Sequence, residues 1–173
     1  SSEKNLYSSI EKQTQQIKKI LSVKIIKNLL IRNSNIFLTK KGRLLFNALK
    51  KAKKNKLIKN FGYSIYDFNS LKKIITNYKP DLIQCPYNII DRRIEDPKII
   101  NFLKKRKIKI QARSIFLQGI LLKTKNKNKL PKFFDKWKKV FLNFEKICEL
   151  NKLSPLSICL NYVNNNKNID EIL

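Results

Sequence analysis

The chain of 173 residues is long enough to form one domain with its own hydrophobic core, and its 42% hydrophobic residues exclude a disordered composition. No apolar run approaches the ~20 residues that a membrane-spanning helix needs, and the N-terminal residues lack the basic and then apolar layout of a signal peptide. The formal net charge of +27 is extreme and raises the question of an anionic partner.

The basic residues are mostly lysine, which argues against a surface built to recognise nucleic acid. Of the 39 basic residues only six are arginine, the residue that base and phosphate recognition favours. The lysines are spread over nearly every segment, together with abundant isoleucine and asparagine. We therefore expect a solvated lysine surface that reflects overall composition. Neither nucleic acid nor a membrane is an expected partner.

Three residue counts bear on compartment and chemistry. The three cysteines, Cys85, Cys148 and Cys159, stand in apolar surroundings without metal-ligand spacing, so we expect no metal site and reduced core thiols in a cytoplasmic protein. The chain has no histidine, the commonest proton-transfer residue near neutral pH. It also has no methionine and starts with serine, so we expect a processed or excised piece of a longer protein.

The first 57 residues predict a helix, a strand and a second helix. Apolar positions recur among polar ones over residues 5–20, which predicts an amphipathic helix with Ile20 and Leu21 on its apolar side. The apolar run 23–31 predicts a strand that ends in a polar loop. The apolar residues that follow lie at helical spacing, with lysines on the other face. They are Leu44, Leu45, Ala48, Leu49, Ala52 and Leu57.

Residues 61–122 organise the rest of the chain, because short apolar runs alternate there with amphipathic stretches. The runs 61–66, 82–87 and 108–117 are too short for core helices and are typical of strands buried on both faces. The stretches between them are long enough for crossover helices. This alternation predicts a parallel sheet with an α/β architecture.

Two helices are predicted between these strands. The first has its apolar stripe over residues 71–78, and Asp67 or Asn69 is its expected N-cap. Pro97 is expected at the first position of the second helix. The Asp-Arg-Arg sequence at 91–93 is interpreted as a salt-bridged turn rather than a site.

The C-terminal third predicts a loop, two helices and one more strand. The stretch 124–129 is a solvated loop or a mobile excursion over a ligand site, and we favour the solvated loop. A long amphipathic helix follows, whose aromatic stripe we assign to core packing. The stripe contains Phe133, Phe134, Trp137, Val140, Phe141, Phe144, Ile147 and Cys148. Ser154 and Pro155 start another helix, and residues 169–173 start a fifth strand.

Four strands and the start of a fifth amount to about five-eighths of a closed eight-stranded α/β barrel, which usually needs ~250 residues. Polar residues lie where the predicted strands end, and functional groups gather at that edge in such folds. These residues are Ser64, Gln84, Asn88, Arg113, Ser114 and Gln118.

Five ordered segments resemble the aldo/keto reductase family. They are LLIRNSN, KLIKNFGYSIYD, PDLIQCPYNIIDRR, KIKIQARSIFLQGILL and the terminal LSPLSICLNYV with NIDEIL. The resemblance is strongest to the bacterial branch that has the patterns GxSxYD, QxPxNxxDRR and ARSxFLQGLL. It implies a partial (β/α)8 TIM barrel with about strands 4–7 and the start of strand 8, hence a single incomplete domain over residues 1–173. It also implies NADPH as cofactor and a small-molecule carbonyl as substrate.

The resemblance assigns cofactor contacts to several residues. Ser64 and Gln84 match the residues that hydrogen-bond the nicotinamide carboxamide, and the alternative is that they are satisfied polar groups at strand ends. Arg113 lies where many members place an aromatic residue that stacks on the nicotinamide ring, and a guanidinium can also lie flat on a ring. The residues that match the pyrophosphate-binding loop are Ser114, Phe116 and Gln118.

The chain also departs from the family pattern. The family uses an Asp, a Tyr and a Lys from its first three strands, and these match nothing in residues 1–173. Arg32 occupies the position of the family histidine that polarises the carbonyl. Because arginine stays protonated near neutral pH, it donates hydrogen bonds but cannot act as a general acid. Asn33 is a candidate for lining the substrate pocket. The segment that grips the adenosine phosphate lies beyond Leu173 in the family.

Three functions follow as hypotheses. The first is an NADPH-dependent carbonyl reductase domain, truncated at both ends and impaired by these departures. The second is a non-catalytic binding or structural remnant of the same fold, and the third is a basic nucleic-acid-binding protein. For a partial barrel we also expect missing strands or a second chain to cover the open sheet edges.

Overall fold

Strands and helices alternate along the chain, as the apolar periodicity predicts. The computed structural model describes residues 2–123 and 132–173, so the predicted loop at 124–129 lies outside the described residues. The elements, in order, are α1 (Glu3–Ile20), β1 (Ile26–Ile31), α2 (Lys41–Lys54), β2 (Ile58–Ser64), α3 (Leu71–Asn77), β3 (Leu82–Pro86), α4 (Pro97–Lys105), β4 (Lys109–Arg113), α5 (Lys138–Leu150), α6 (Pro155–Asn164) and β5 (Glu171–Ile172). Short 3₁₀ helices lie at Ser34–Leu38, Arg93–Glu95, Ile120–Leu122 and Lys132–Trp137.

The five strands form one sheet in the sequential order β1-β2-β3-β4-β5. The pairings of β1 with β2, β2 with β3 and β4 with β5 are parallel. This confirms the predicted α/β class and the fifth strand. The chain divides into two compact units. The first unit comprises residues 1–85 and 97–110, and the second comprises residues 86–96 and 111–173.

The core of the first unit lies between the sheet and its helices. Tyr63 and Ile83 of neighbouring strands are completely buried. The Tyr63 ring packs against Phe37, with ring centroids 4.3 Å apart, and its hydroxyl donates a hydrogen bond to the Tyr78 carbonyl. The predicted apolar faces of α2 and α3 are buried as well. Their buried residues include Leu45, Ala48, Leu49, Ala52, Leu71, Ile74 and Ile75.

Gly62 allows β2 to lie between its two neighbours at close range. A Cβ atom on Gly62 would lie 2.6 Å from the Leu82 carbonyl oxygen and 2.9 Å from a Leu30 methyl carbon. The Leu82 Cγ atom would lie 2.7 Å away, and the closest of these three obstructing atoms, the Leu82 carbonyl oxygen, is backbone. Only glycine therefore fits here without displacing β3.

Two hydrogen bonds link side chains of α1 to α2 and to the residue that follows it. Asn47 donates to the Glu3 carboxylate at 3.1 Å, and Asn55 donates to the Tyr7 hydroxyl at 2.7 Å. Only Thr14 of this helix is buried. The predicted helix is confirmed, but Ile20 and Leu21, which were counted on its apolar side, are 79% and 60% exposed. The apolar side of α1 is not buried at these two residues, because the helix ends at Ile20 and its last turn is exposed.

The second unit has its own apolar core. Its buried cluster consists of Leu121, Phe141, Phe144, Cys148 and Cys159. The prediction that the whole aromatic stripe forms core is wrong at Phe133, Trp137, Val140 and Ile147, which are exposed. The predicted single helix is broken, because Lys132–Trp137 is a 3₁₀ helix and only Lys138–Leu150 is α-helical. A 3₁₀ turn has three residues per turn, so the 3.6-residue periodicity no longer holds its apolar residues on one face.

Helix starts agree in two places and differ in one. Pro97 begins α4, and the Ser154 side chain accepts a hydrogen bond from the Ser157 amide at the start of α6, both as predicted. The prediction of Asp67 or Asn69 as the N-cap of α3 is wrong, because Ser70 holds that position. Asp67 instead accepts a hydrogen bond from the Asn69 amide within the preceding turn, which occupies its side chain.

The three cysteines are buried, as predicted, and none is part of a disulfide bond. Burial raises the pKa of Cys159 to about 11, with a smaller contribution from Cys148. Burial likewise raises the pKa of Cys148. Both thiols are therefore protonated near neutral pH and weakly nucleophilic. Within the described residues, no helix combines the length and the apolar character that crossing a bilayer demands.

Candidate cofactor-binding site

Three of the predicted site residues form one row at the C-terminal ends of neighbouring strands in the first unit. Ser64, the last residue of β2, is the register partner of Gln84 in β3. Arg32 directly follows β1, whose last residue Ile31 pairs with Tyr63. Register partners in parallel strands point to the same face, so the side chains of Ser64 and Gln84 share one side of the sheet.

This shared face lies opposite the helices. Tyr63, which precedes Ser64, points to the side where Phe37 and Tyr78 pack. Because successive side chains of a strand alternate, Ser64 points to the other side. It is 6% exposed, whereas Gln84 is half-buried. The Ile65 amide donates a 2.7 Å hydrogen bond to the Gln84 carbonyl, which holds the two strand ends together.

Arg32 and Asn33 lie in the turn after β1 and are both exposed. The Asn33 side chain accepts a hydrogen bond from the Asn35 amide at 3.1 Å and so caps the 3₁₀ helix Ser34–Leu38. Asn33 therefore has a local structural role as the N-cap of this 3₁₀ helix. Its proposed contact with substrate stays a prediction.

The other predicted site residues lie in the second unit, where β4 ends. Arg113 is the last residue of β4, and one of its guanidinium nitrogens, Nη1, donates to the Ser114 hydroxyl oxygen at 3.2 Å. Phe116 packs against the buried cluster of this unit, and Gln118 is exposed. Predicting a strand over 108–117 was wrong at its C-terminal end, because the backbone turns at Ser114.

The turn after β4 contains several residues in the left-handed region. Ser114, Leu117 and Gln118 have φ values of 57°, 47° and 54°, and Gly119 has a φ of 84°. For residues other than glycine this conformation costs roughly 1–2 kcal/mol each. Strained backbone of this kind persists only where surrounding contacts hold it in place, and such sites cluster at functional positions.

One such contact comes from Asn88, which is completely buried. Its side-chain oxygen accepts hydrogen bonds from the amides of Ile90 and Asp91, at 2.9 and 2.8 Å. Its side-chain nitrogen donates to the Ser114 carbonyl at 3.0 Å. The sequence indicates Asn88 as a polar residue at a strand end. It does not reveal the partner 26 residues away.

A second polar cluster in this unit was missed by sequence reasoning. One oxygen of the Glu95 carboxylate accepts hydrogen bonds from the hydroxyls of Tyr87 and Tyr162, each at 2.7 Å, and the other accepts from Arg92 at 2.8 Å. Asn166 donates to the Tyr87 hydroxyl at 2.9 Å. The interpretation of residues 91–93 as a salt-bridged turn is confirmed by the Arg93–Asp91 pair at 2.8 Å.

Burial and hydrogen bonds within this cluster shift the pKa values of its members. Burial raises the pKa of Glu95, but hydrogen bonds from Tyr162, Tyr87 and Arg92 more than offset it, so the net effect is a lowered pKa. Burial and the bond to Glu95 raise the pKa of both Tyr87 and Tyr162. Both hydroxyls therefore stay protonated and donate at neutral pH.

Metal chemistry has no support among the residues that can be described. In residues 2–123 and 132–173, no three side chains of the metal-binding types form a group able to hold an ion.

The chain matches a family model described as "Aldo/keto reductase family" over residues 2–170. A solved structure of the glycerol dehydrogenase AKR11B4 from Gluconobacter oxydans is similar, with a TM-score of 0.70 and 20% identity, over 96% of this chain and 54% of that one. The apo form of the aldo-keto reductase AKR11C1 from Bacillus halodurans gives a TM-score of 0.72 and 16% identity, over 96% and 56%. No curated protein sequence matches the chain.

These structural similarities establish the fold. The chain spans about half the length of the structures it matches. With its parallel five-stranded sheet, it forms part of a TIM barrel, and the predicted partial barrel is confirmed.

Proposed function

The chain belongs to the aldo/keto reductase family, and we propose that it is part of an NADPH-dependent carbonyl reductase whose strand ends hold the nicotinamide. NADPH would supply the hydride for the reduction of a small-molecule carbonyl. The residues of this chain would bind and orient the cofactor and polarise the carbonyl. We place this activity in the cytoplasm.

The register pairing of Ser64 with Gln84 carries this proposal. A carboxamide has one carbonyl oxygen and one NH₂ group, so it needs both donors and acceptors. A serine hydroxyl and a glutamine amide each provide both. Their positions on adjacent strands, on the face away from the helices, suit a flat amide that reaches across two strand ends. Ser64 is nearly inaccessible to water, so a hydrogen bond there would face little competition from solvent.

Arg32 limits the catalytic roles that such a site can perform. It lies in the same row as Ser64 and would donate hydrogen bonds to a substrate carbonyl or carboxylate. A guanidinium group offers only donors and cannot serve as a general acid. Arg32 would therefore polarise a carbonyl without acting as the acid, and we propose impaired reduction. This same residue favours a second candidate function, a non-catalytic cofactor-binding remnant of the fold.

In the second unit, Arg113, Ser114 and Gln118 are proposed to meet the cofactor, Arg113 at the nicotinamide ring and the others at the pyrophosphate. The strained turn at 114–119 supports this assignment, because strain of that kind marks functional loops. Phe116 would contribute indirectly, since its ring packs into the core and anchors the turn.

The test is a titration of the 173-residue chain with NADPH, followed by the loss of NADPH absorbance with a small aldehyde. The double variant Ser64→Ala/Gln84→Ala is expected to bind NADPH about 30-fold more weakly, at ~1 kcal/mol for each lost hydrogen bond. Ser8→Ala/Gln16→Ala, on the exposed face of α1, is the matched control. Equal affinity of both double variants, or no binding by the unaltered chain, would overturn the proposal. Binding without turnover would favour the remnant.

We also propose that further barrel strands, or a second chain, cover the free edge at β1. Leu29, Leu30 and Ile31 of this edge strand are only half-buried, whereas the pattern of β2 is nearly all buried. Large half-exposed aliphatic residues on an edge strand favour association. We expect size-exclusion chromatography to show larger species as concentration rises. A sharp monomer peak at all concentrations, with cooperative melting, would contradict this.

A further inference from the structure

We propose that Asn88 is a positioning residue for the cofactor, because its side chain holds the turn that presents Arg113 and Ser114. This role rests on the proposed function, since it assumes that these two residues meet NADPH. Asn88 itself would touch neither cofactor nor substrate. It would act through the Ser114 carbonyl, to which its side-chain nitrogen donates at 3.0 Å.

The orientation of the Asn88 amide follows from its partners. Its oxygen accepts from two backbone amides, those of Ile90 and Asp91. An NH₂ group in that position would face two donors, so only the observed orientation satisfies every group. The Asn88 backbone amide also donates to the Asp91 carbonyl at 3.1 Å, which closes the turn. The side-chain nitrogen therefore points at Ser114 from a rigid, completely buried support.

Two consecutive residues, Tyr87 and Asn88, donate hydrogen bonds to two consecutive carbonyls at the C-terminal end of β4. The Tyr87 amide donates to the Arg113 carbonyl at 3.1 Å, and the next residue, Asn88, reaches the Ser114 carbonyl with its side chain. Regular pairing cannot continue at Ser114, because its φ of 57° turns the chain away. The asparagine side chain replaces the missing strand contact. It contributes to the stability of a backbone conformation that a serine otherwise disfavours.

Fixing Ser114 also fixes the guanidinium beside it. The Ser114 hydroxyl oxygen accepts from Arg113 Nη1 at 3.2 Å, so its position depends on the Ser114 backbone. The Ser114 carbonyl accepts a second hydrogen bond from the Leu117 amide at 2.9 Å, which links the same point to the rest of the turn. Loss of the Asn88 donor would therefore reach Arg113, Ser114 and the turn together.

The variant Asn88→Asp isolates this contact. A carboxylate still accepts from the Ile90 and Asp91 amides, but it cannot donate to the Ser114 carbonyl. Asn166→Asp is the matched control, because Asn166 also accepts from a backbone amide, that of Asn168, and donates to an oxygen, the Tyr87 hydroxyl. Both variants exchange a half-buried or buried donor for a carboxylate in the same unit. Only the first lies at the proposed cofactor turn.

We expect Asn88→Asp to weaken NADPH binding about tenfold, and Asn166→Asp to change it less than twofold, at similar losses in melting temperature. A cofactor-free readout is hydrogen exchange of the Leu117 amide, expected to be about tenfold faster in Asn88→Asp alone. Unchanged affinity in Asn88→Asp, with normal binding by the unaltered chain, would overturn the role of Asn88 only. Equal hydrogen-exchange rates of the Leu117 amide in both variants would overturn the inference that the Asn88 side chain holds the turn. Absent NADPH binding by the unaltered chain would overturn the proposed function together with this role.

Discussion

Replacing Gly62 by alanine is expected to lower the free energy of unfolding by about 3 kcal/mol, a large share of the stability of a single domain. The added methyl group would lie 2.6 Å from the Leu82 carbonyl oxygen, and backbone cannot swing aside as a side chain can. Strands β2 and β3 would have to separate. The measurement is urea unfolding followed by circular dichroism, with the midpoint and slope both compared.

Gly119→Ala is the control for this variant. Gly119 has a φ of 84°, but a Cβ atom there would meet nothing within 4 Å. Its cost should therefore be conformational only, roughly 1 kcal/mol. A Gly62→Ala chain as stable as Gly119→Ala would show that the strand spacing adjusts freely, contrary to the close contact described.

Replacing Glu95 by glutamine is expected to lower the free energy of unfolding by about 2–3 kcal/mol at pH 7. The carboxylate accepts hydrogen bonds from Tyr87, Tyr162 and Arg92. The amide has nearly the same shape, but its NH₂ group would face donors and leave one or more of them without an acceptor. Tyr87 is completely buried, so a lost partner there is not replaced by water.

The pH dependence distinguishes this effect from simple loss of packing. The lowered pKa of Glu95 means that its ionised form stabilises the folded chain. This contribution is fully present above the ordinary glutamate pKa of about 4.3 and is lost as pH falls through the lower pKa of the folded state. The gap between the unaltered chain and Glu95→Gln should therefore shrink as pH falls below about 4. Unfolding free energies from pH 3 to 7 measure it.

Asp91→Asn, four residues earlier in the same turn, is the matched carboxylate control. Asp91 pairs with Arg93, whose side chain is 54% exposed. An ion pair of this kind is worth about 0–1 kcal/mol, so the loss should be small. If Asp91→Asn and Glu95→Gln were equally destabilising, the two tyrosine hydrogen bonds would contribute nothing measurable.

Apolar periodicity was sufficient to predict the architecture. The runs at 61–66 and 82–87 coincide with β2 and β3 to within a few residues, because strands buried on both faces are mostly apolar along their length. The helices predicted from one-sided apolar stripes, such as α2 and α3, were also confirmed, because each buries that stripe. Strand ends were less accurate. The apolar run continues through Ile115, Phe116 and Leu117, but these residues form a turn. Ile115 is buried there, and Phe116 and Leu117 pack against the buried cluster of the second unit.

Only part of the candidate site could be predicted from the sequence. Ser64 and Gln84 could be placed together from sequence, since each lies in an apolar run predicted as a strand, and parallel strands end at a common edge. The hydrogen bond from Asn88 to Ser114 and the Glu95 cluster could not be predicted, because each joins residues far apart in the chain. Tyr162 and Glu95 are separated by 67 positions, and nothing local in either segment specifies the other. The exposure of Phe133 and Trp137 also escaped prediction, because a 3₁₀ turn breaks the helical period.

The pairing of Ser64 with Gln84 has a consequence for how this chain tolerates insertions and deletions. Strand side chains alternate with a period of two, so a one-residue shift of β2 would turn Ser64 toward the helices and bring Tyr63 into its place. Inserting a single residue between α2 and β2 could do this without altering Ser64 or Gln84 themselves. A two-residue change would restore the parity. Length variation in the turns that precede the strands is therefore a greater threat to the paired polar groups than most substitutions beside them.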